Sequence, residues 1–97
     1  MQNCILRLIF DTDLYDEMTD CLLTYSSREL EFMGFAINAH TQSLDEISEQ
    51  VSGFKQRRVI ELNTNTEEAP TIYQHVKKVL AEADFTAQLY PLLDFKE

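Results

Sequence analysis

Residues 3–13 read NCILRLIFDTD, an aliphatic run followed at once by side chains that cap helices. Asn3 to Phe10 is too short for a core helix and rich in Ile, Leu and Phe, so it predicts a strand covered on at least one face. Asp11, Thr12 and Asp13 then offer oxygens to the free N–H groups of a helix start. Leu14, Met18, Cys21, Leu22 and Tyr25 follow at offsets 0, 4, 7, 8 and 11. That spacing puts all five on one stripe of a helix over about 13–26.

The rest of the chain repeats this unit. After a polar link from Ser26 to Glu31, Gly34 precedes a second strand, Phe35 to His40, of alternating character. Residues 41–54 (TQSLDEISEQVSGF) are less strand-like. Ser43 and Glu46 fit a capping box, and Leu44, Ile47 and Val51 keep helical spacing, which predicts a short helical turn closing near Gly53. An excursion of that length is typical of functional loops. A third strand is expected from about Gln56 to Asn63. Thr64 to Pro70 lead into a second helix, with Glu67 and Glu68 near its positive end and Lys77 and Lys78 further along, as its dipole favours. Its stripe, Ile72, Val76, Val79, Leu80 and Ala83, has the offsets of the first. A fourth strand, Thr86 to Tyr90, ends at Pro91 before an apolar tail of Leu92, Leu93 and Phe95.

The order β-α-β-β-α-β in 97 residues predicts one α+β domain over 1–97, a ferredoxin-like plait. Its four-stranded antiparallel sheet carries both helices on one face, and right-handed crossovers put the first and third strands in the centre. Strand alternation then turns Cys4, Leu6, Leu8, Phe10, Arg58, Ile60 and Leu62 toward the helices. The bare face receives Ile5, Arg7, Ile9, Val59 and Glu61, with Tyr90 beside them. An apolar patch holding one pair of opposite charges has the character of a subunit interface, and a domain this small gains stability by association. A homo-oligomer built on this face is expected.

Composition excludes several functions. The two glycines, Gly34 and Gly53, are too far apart for a Walker or dinucleotide-binding loop. The net charge of −9 disfavours nucleic acid and anionic membranes, and no apolar run is long enough to span a bilayer. The N-terminus lacks the pattern of a signal peptide, and with only Cys4 and Cys21 as thiols a cytoplasmic location is expected. Both cysteines fall on core-facing positions and read as buried thiols.

The first half of the chain, 1–50, holds ten acidic residues and only Arg7 and Arg28 as cations. Against that background Lys55, Arg57 and Arg58, where the long excursion meets the third strand, form the candidate site for an anionic ligand. The other reading pairs them with Asp45, Glu46 and Glu49. His40 and His75 lack ligand spacing and are weak metal candidates, so no metal site is assigned. No nucleophile–base signature is present.

The stretch Gln50-Val51-Ser52-Gly53-Phe54-Lys55-Gln56-Arg57-Arg58-Val59, the ending Tyr90-Pro91-Leu92-Leu93-Asp94-Phe95, the length and the element order together resemble a small bacterial family of PII-like proteins, of the nitrogen-regulatory type. The resemblance spans nearly the whole chain and rests on a short, non-catalytic motif. It implies a trimer with the sheets lining its centre, ligand clefts between subunits, and an exposed loop at 41–54, including Ser43, Leu44, Asp45, Glu46 and Ile47, that contacts a partner protein. Nucleotide-binding PII proteins carry a Gly- and Lys-rich phosphate loop between the second helix and the fourth strand. Here that segment, Ala81-Glu82-Ala83-Asp84-Phe85-Thr86, has neither residue, so a phosphate would rely on Lys55, Arg57 or Arg58. The family's association with heavy-metal efflux systems makes such a system a candidate partner, and the similarly folded CutA proteins are linked to divalent-metal tolerance.

The expectation is a non-enzymatic, trimeric regulator or sensor with no cofactor assigned, a nucleotide or a divalent metal remaining open as ligand. A CutA-like metal-tolerance accessory protein and a dimeric ferredoxin-like enzyme are the alternatives.

Overall fold

The computed structural model describes residues 2–39, 55–93 and 95. Its elements are β1 (Asn3–Asp11), a 3-10 turn (Thr12–Leu14), α1 (Tyr15–Leu23), β2 (Phe32–Ala39), β3 (Lys55–Asn65), α2 (Ala69–Val79) and β4 (Phe85–Pro91). The four strands form one antiparallel sheet in the order β2-β3-β1-β4, so β1 and β3 are central as the crossover rule requires. The architecture is the ferredoxin-like α+β plait expected from the element order.

Register explains why one face is the core. Leu6 lies opposite Leu62 and Leu89, Leu8 opposite Ile60 and Ala87, and Phe10 opposite Arg58 and Phe85. Paired residues share a face, so the even-numbered aliphatics of β1 and β3 form one apolar surface. Met18, Cys21 and Leu22 of α1 and Ile72 and Val76 of α2 close over it. Phe10, Leu8, Ile60, Ile72 and Val76 are completely buried. Each such side chain contributes roughly 1.5–3 kcal/mol by leaving water.

Element ends differ from the sequence pattern for local reasons. The chain makes a 3-10 turn at Thr12–Leu14, and α1 proper is shorter than expected. At the far end of α1, Thr24 donates its Oγ1 hydrogen to the Cys21 carbonyl at 2.6 Å, and Tyr25 stays buried although it lies beyond the helix. α2 ends at Val79 because Leu80 leaves the helical region at φ −115°, ψ 59°. The expected stripe therefore fails in its last turn: Val79 is exposed and Ala83 lies outside the helix. Glu67 and Glu68 precede α2, where Asn65 Oδ1 accepts both of their backbone N–H groups at 3.0 and 2.8 Å.

β2 starts three residues earlier than its alternation suggests and contains Gly34 in mid-strand. Gly34 lies opposite Ile60 on the helix-covered face, with the Tyr15 ring against it. The missing side chain makes room for that ring. The helical turn expected within 41–54 lies outside the described residues.

Candidate functional site

The face without helices is a grid set by register. One row runs Met33, Glu61, Arg7, Gln88, and the next Phe35, Val59, Ile9, Thr86. Ile5 lies opposite Tyr90 one row further on. All six residues expected at an oligomer interface, Ile5, Arg7, Ile9, Val59, Glu61 and Tyr90, thus share one surface. Val59 and Ile5 are buried and Ile9 is half-buried, while Met33 is 66% exposed at the β2 edge. Met33 and Phe35 extend the apolar area, and Met33 falls outside a β2 expected to begin only after Gly34.

At the centre of this face Glu61 Oε2 accepts from Arg7 Nε at 3.0 Å and from the Tyr90 hydroxyl at 2.6 Å. Arg7 also reaches Tyr90 Oη at 3.3 Å, and its guanidinium carbon lies 4.9 Å from that ring's centroid. The hydrogen bonds to Tyr90 and then Glu61 hold the Arg7 pKa above its usual value, against a smaller opposing effect of desolvation. Three strands are thereby locked together by one polar cluster beside the apolar Ile5, Ile9 and Val59.

The basic cluster at the start of β3 is divided by the pleat. Arg57 lies on the open face opposite Asp11, with Nη1 3.9 Å from the Asp11 carboxylate. Arg58 lies on the helix face, its guanidinium carbon 3.7 Å from the centroid of the Tyr15 ring. Both Nε atoms are buried and make no hydrogen bond. Lys55 opens β3 opposite Ala39. The expected partner residues Ser43, Leu44, Asp45, Glu46 and Ile47, and His40, lie outside the described residues.

A second polar cluster, at the opposite end of the sheet, had no signal in the sequence reading beyond Arg28 being one of two cations in the first half. Arg28 grips Glu68 with two hydrogen bonds of 2.7 Å and donates to the Asn63 carbonyl at 3.0 Å. Thr64 Oγ1 adds a third donor to Glu68 at 2.7 Å. Arg28, and secondarily Thr64, hold the Glu68 carboxyl below its ordinary range, while burial opposes them. A depressed folded-state pKa contributes stability that is present above the unfolded carboxylate range and lost as pH falls through the folded value. Glu68→Gln should therefore cost about 1 kcal/mol at neutral pH, a figure kept small because Arg28 is partly in solvent. Urea titrations of both chains should show that difference vanish in strong acid; a pH-independent difference would refute the assignment.

His75 is also structural. Its Nε2 lies 2.9 Å from the Cys21 carbonyl and 3.1 Å from Thr24 Oγ1, and Tyr25 meets the ring edge-on. Cys4 and Cys21 are free, buried thiols whose pKa burial pushes up. Among the described residues no group of three His, Cys, Asp or Glu side chains is placed to hold a metal, and no helix is long and apolar enough to cross a membrane.

A plait with one helix-covered face and one helix-free face is the ferredoxin-like fold that solved PII-like and CutA structures share with this chain. The chain itself belongs to the DUF3240 family, described as a protein of unknown function, whose profile matches residues 1–97. A DUF3240 protein from Shewanella baltica superposes with a TM-score of 0.74 at 13% identity, over 100% of this chain and 97% of that one. A protein assigned to PII-like signalling in Thermus thermophilus gives 0.58 at 12% identity, over 95% and 91%. The periplasmic divalent cation tolerance protein CutA of Archaeoglobus fulgidus gives 0.55 at 11% identity, over 100% and 89%. No functionally curated protein sequence matches significantly.

Proposed function

We propose that this chain is a single-domain, non-enzymatic PII-like regulatory protein that assembles as a homotrimer on its open sheet face. A ligand bound near Lys55, Arg57 and Arg58 biases the 41–54 loop toward or away from a cytoplasmic partner protein, a metal efflux system being one candidate. The observation that carries this reading is the helix-free face of the sheet, where Ile9, Met33 and Phe35 stay at least partly in solvent around the Arg7–Glu61–Tyr90 cluster. Surfaces of that kind in monomers are small, and covering one stabilises a small domain. The likeness to a PII-like signalling protein supports the regulatory reading, and the buried, unbonded Nε of Arg57 on the open face supports an anionic ligand there, with Arg58 behind it on the helix face.

Coupling needs only differential affinity: a ligand that binds better when the loop is ordered shifts the population toward the ordered form. The test is a thermal-shift panel of nucleotides and divalent metals, run on the parent and on an Arg57→Ala/Arg58→Ala chain. A ligand at a hundred times its Kd adds about 2.7 kcal/mol to the parent, a shift on the order of 10 °C. The variant should lose that shift. Equal stabilisation of both chains by ATP would displace the anion site from this junction, and a shift with metals alone would favour the CutA-like reading. Sedimentation of the parent as a monomer at micromolar concentration would remove the trimer.

A further inference from the structure

Where the start of α1 meets the end of α2, the helix layer leaves a groove of about 510 Å³. Leu14, Val79, Leu80 and Ala83 give it an apolar lining, and Glu17 and Glu82 are its charged members. Sites that take small ligands or side chains span roughly 300–1,000 Å³, so the space is adequate for a docked side chain. The early end of α2 opens it. Leu80 leaves the helical region and packs against the core, and Val79 stays 49% exposed.

Charge around this groove is one-sided. α1 carries Asp16, Glu17 and Asp20, all exposed, and no cation, with Asp13 just before it. Glu17 and Asp20 stand three apart and share a helix face, so negative charge continues from the groove along α1. Glu82 and Asp84, also exposed, follow α2. None of these carboxylates forms an ion pair among the described residues. Lys77 and Lys78, in the last turn of α2, do not line the groove, and Lys77 lies 5.4 Å from the Phe85 ring centroid.

This asymmetry selects the occupant. A second copy carries −9 itself, and the 41–54 segment has three carboxylates and no cation, so like charge opposes both. Nucleic acid and anionic lipid are repelled for the same reason. What fits is a segment with an apolar side chain for the lining and Lys or Arg flanking it. Burial then supplies affinity, and the unpaired carboxylates attract and orient the cations.

We propose that the groove between α1 and α2 docks a cationic, amphipathic segment of a partner protein, with its apolar side chain against Leu14 and Val79 and its cations against Glu17 and Glu82. The surface uses no residue of 41–54. It lies within one subunit and on the helix layer, so it stays accessible when copies meet through the sheet face, and the inference stands whether or not the trimer does.

The probe is a fluorescein-labelled peptide of Lys and Leu spaced for an amphipathic helix, titrated with the full chain and read by anisotropy. The parent should bind it saturably, with affinity falling as salt is added. The same peptide with Ser for Leu should bind at least about tenfold more weakly, and one with Glu for Lys should not bind. Glu17→Lys/Glu82→Lys should weaken the first peptide by about tenfold or more. Glu29→Lys/Glu67→Lys makes an equal charge change at exposed positions by the opposite ends of the helices, and should weaken it by about twofold at most. Amide NMR shifts of the parent on adding unlabelled peptide need no variant and should map to residues 14–17 and 79–83. No saturation by about 1 mM peptide overturns the proposal. So does equal loss in both variants, equal binding of the Ser peptide, or a shift map centred elsewhere.

Discussion

Replacing Glu61 with Leu is expected to dissociate the protein, while replacing Glu61 and Arg7 together, with Leu and Met, is expected to restore association. In the free subunit Glu61 accepts from both Arg7 and Tyr90, and Arg7 keeps more than a third of its side-chain surface in solvent. Removing the carboxylate there strands a cation that water can still serve, so folding of one copy should change little. In an assembly that covers this face the same cation is cut off from water and has lost its acceptor. An uncompensated buried charge is among the most costly defects a protein can carry, and association should weaken by about a hundredfold or more. Arg7→Met/Glu61→Leu removes both charges and leaves apolar groups of similar volume, which interfaces tolerate. Sedimentation equilibrium on the three chains decides it. If Glu61→Leu associates as the parent does, the open face is not where the copies meet.

How far such reasoning could start from sequence alone depended on whether a feature has a period. The i, i+2 alternation of Cys4, Leu6, Leu8 and Phe10 against Ile5, Arg7 and Ile9 fixes the two faces of β1 without knowledge of its neighbours, and the register keeps every one of those assignments. Antiparallel pairing then brings Arg7 beside Glu61, a contact over 54 positions that parity alone anticipates. Other features have no period to read. The Arg28–Glu68–Thr64 cluster joins a loop, a strand end and a turn, so only the completed fold brings it together. Arg57 and Arg58, neighbours in sequence, are already set on opposite faces by strand alternation, and the fold adds only their partners, Asp11 for one and the Tyr15 ring for the other. Gly34 misled the reading of β2 because glycine usually punctuates strands. Here it makes room for a contact with Tyr15, nineteen residues back and in another element.

That contact gives the second large effect. Gly34→Ala should destabilise the fold by about 1–3 kcal/mol, although alanine in an ordinary strand position would stabilise it slightly relative to glycine. A methyl carbon at Gly34 would stand 2.6 Å from Tyr15 Oη, 3.0 Å from Cε1 and 3.2 Å from Cζ. The ring has little freedom to retreat. Arg58 lies over it at 3.7 Å, and the completely buried Phe10 stacks at a centroid distance of 6.5 Å. Shifting it breaks the cation–π contact, loosens the packing over Phe10 and moves the first turn of α1, to which Tyr15 belongs. The cost therefore comes from the ring and not from the strand backbone, and the two can be separated. Tyr15→Leu alone loses the Arg58 contact, but in that background Gly34→Ala has nothing to strike and should be neutral or mildly stabilising. A double-mutant cycle by urea unfolding at fixed protein concentration should thus show at least about 1 kcal/mol of coupling between the two positions. Additive effects, or a Gly34→Ala chain as stable as the parent, would mean that the Tyr15 ring does not depend on the gap that glycine leaves.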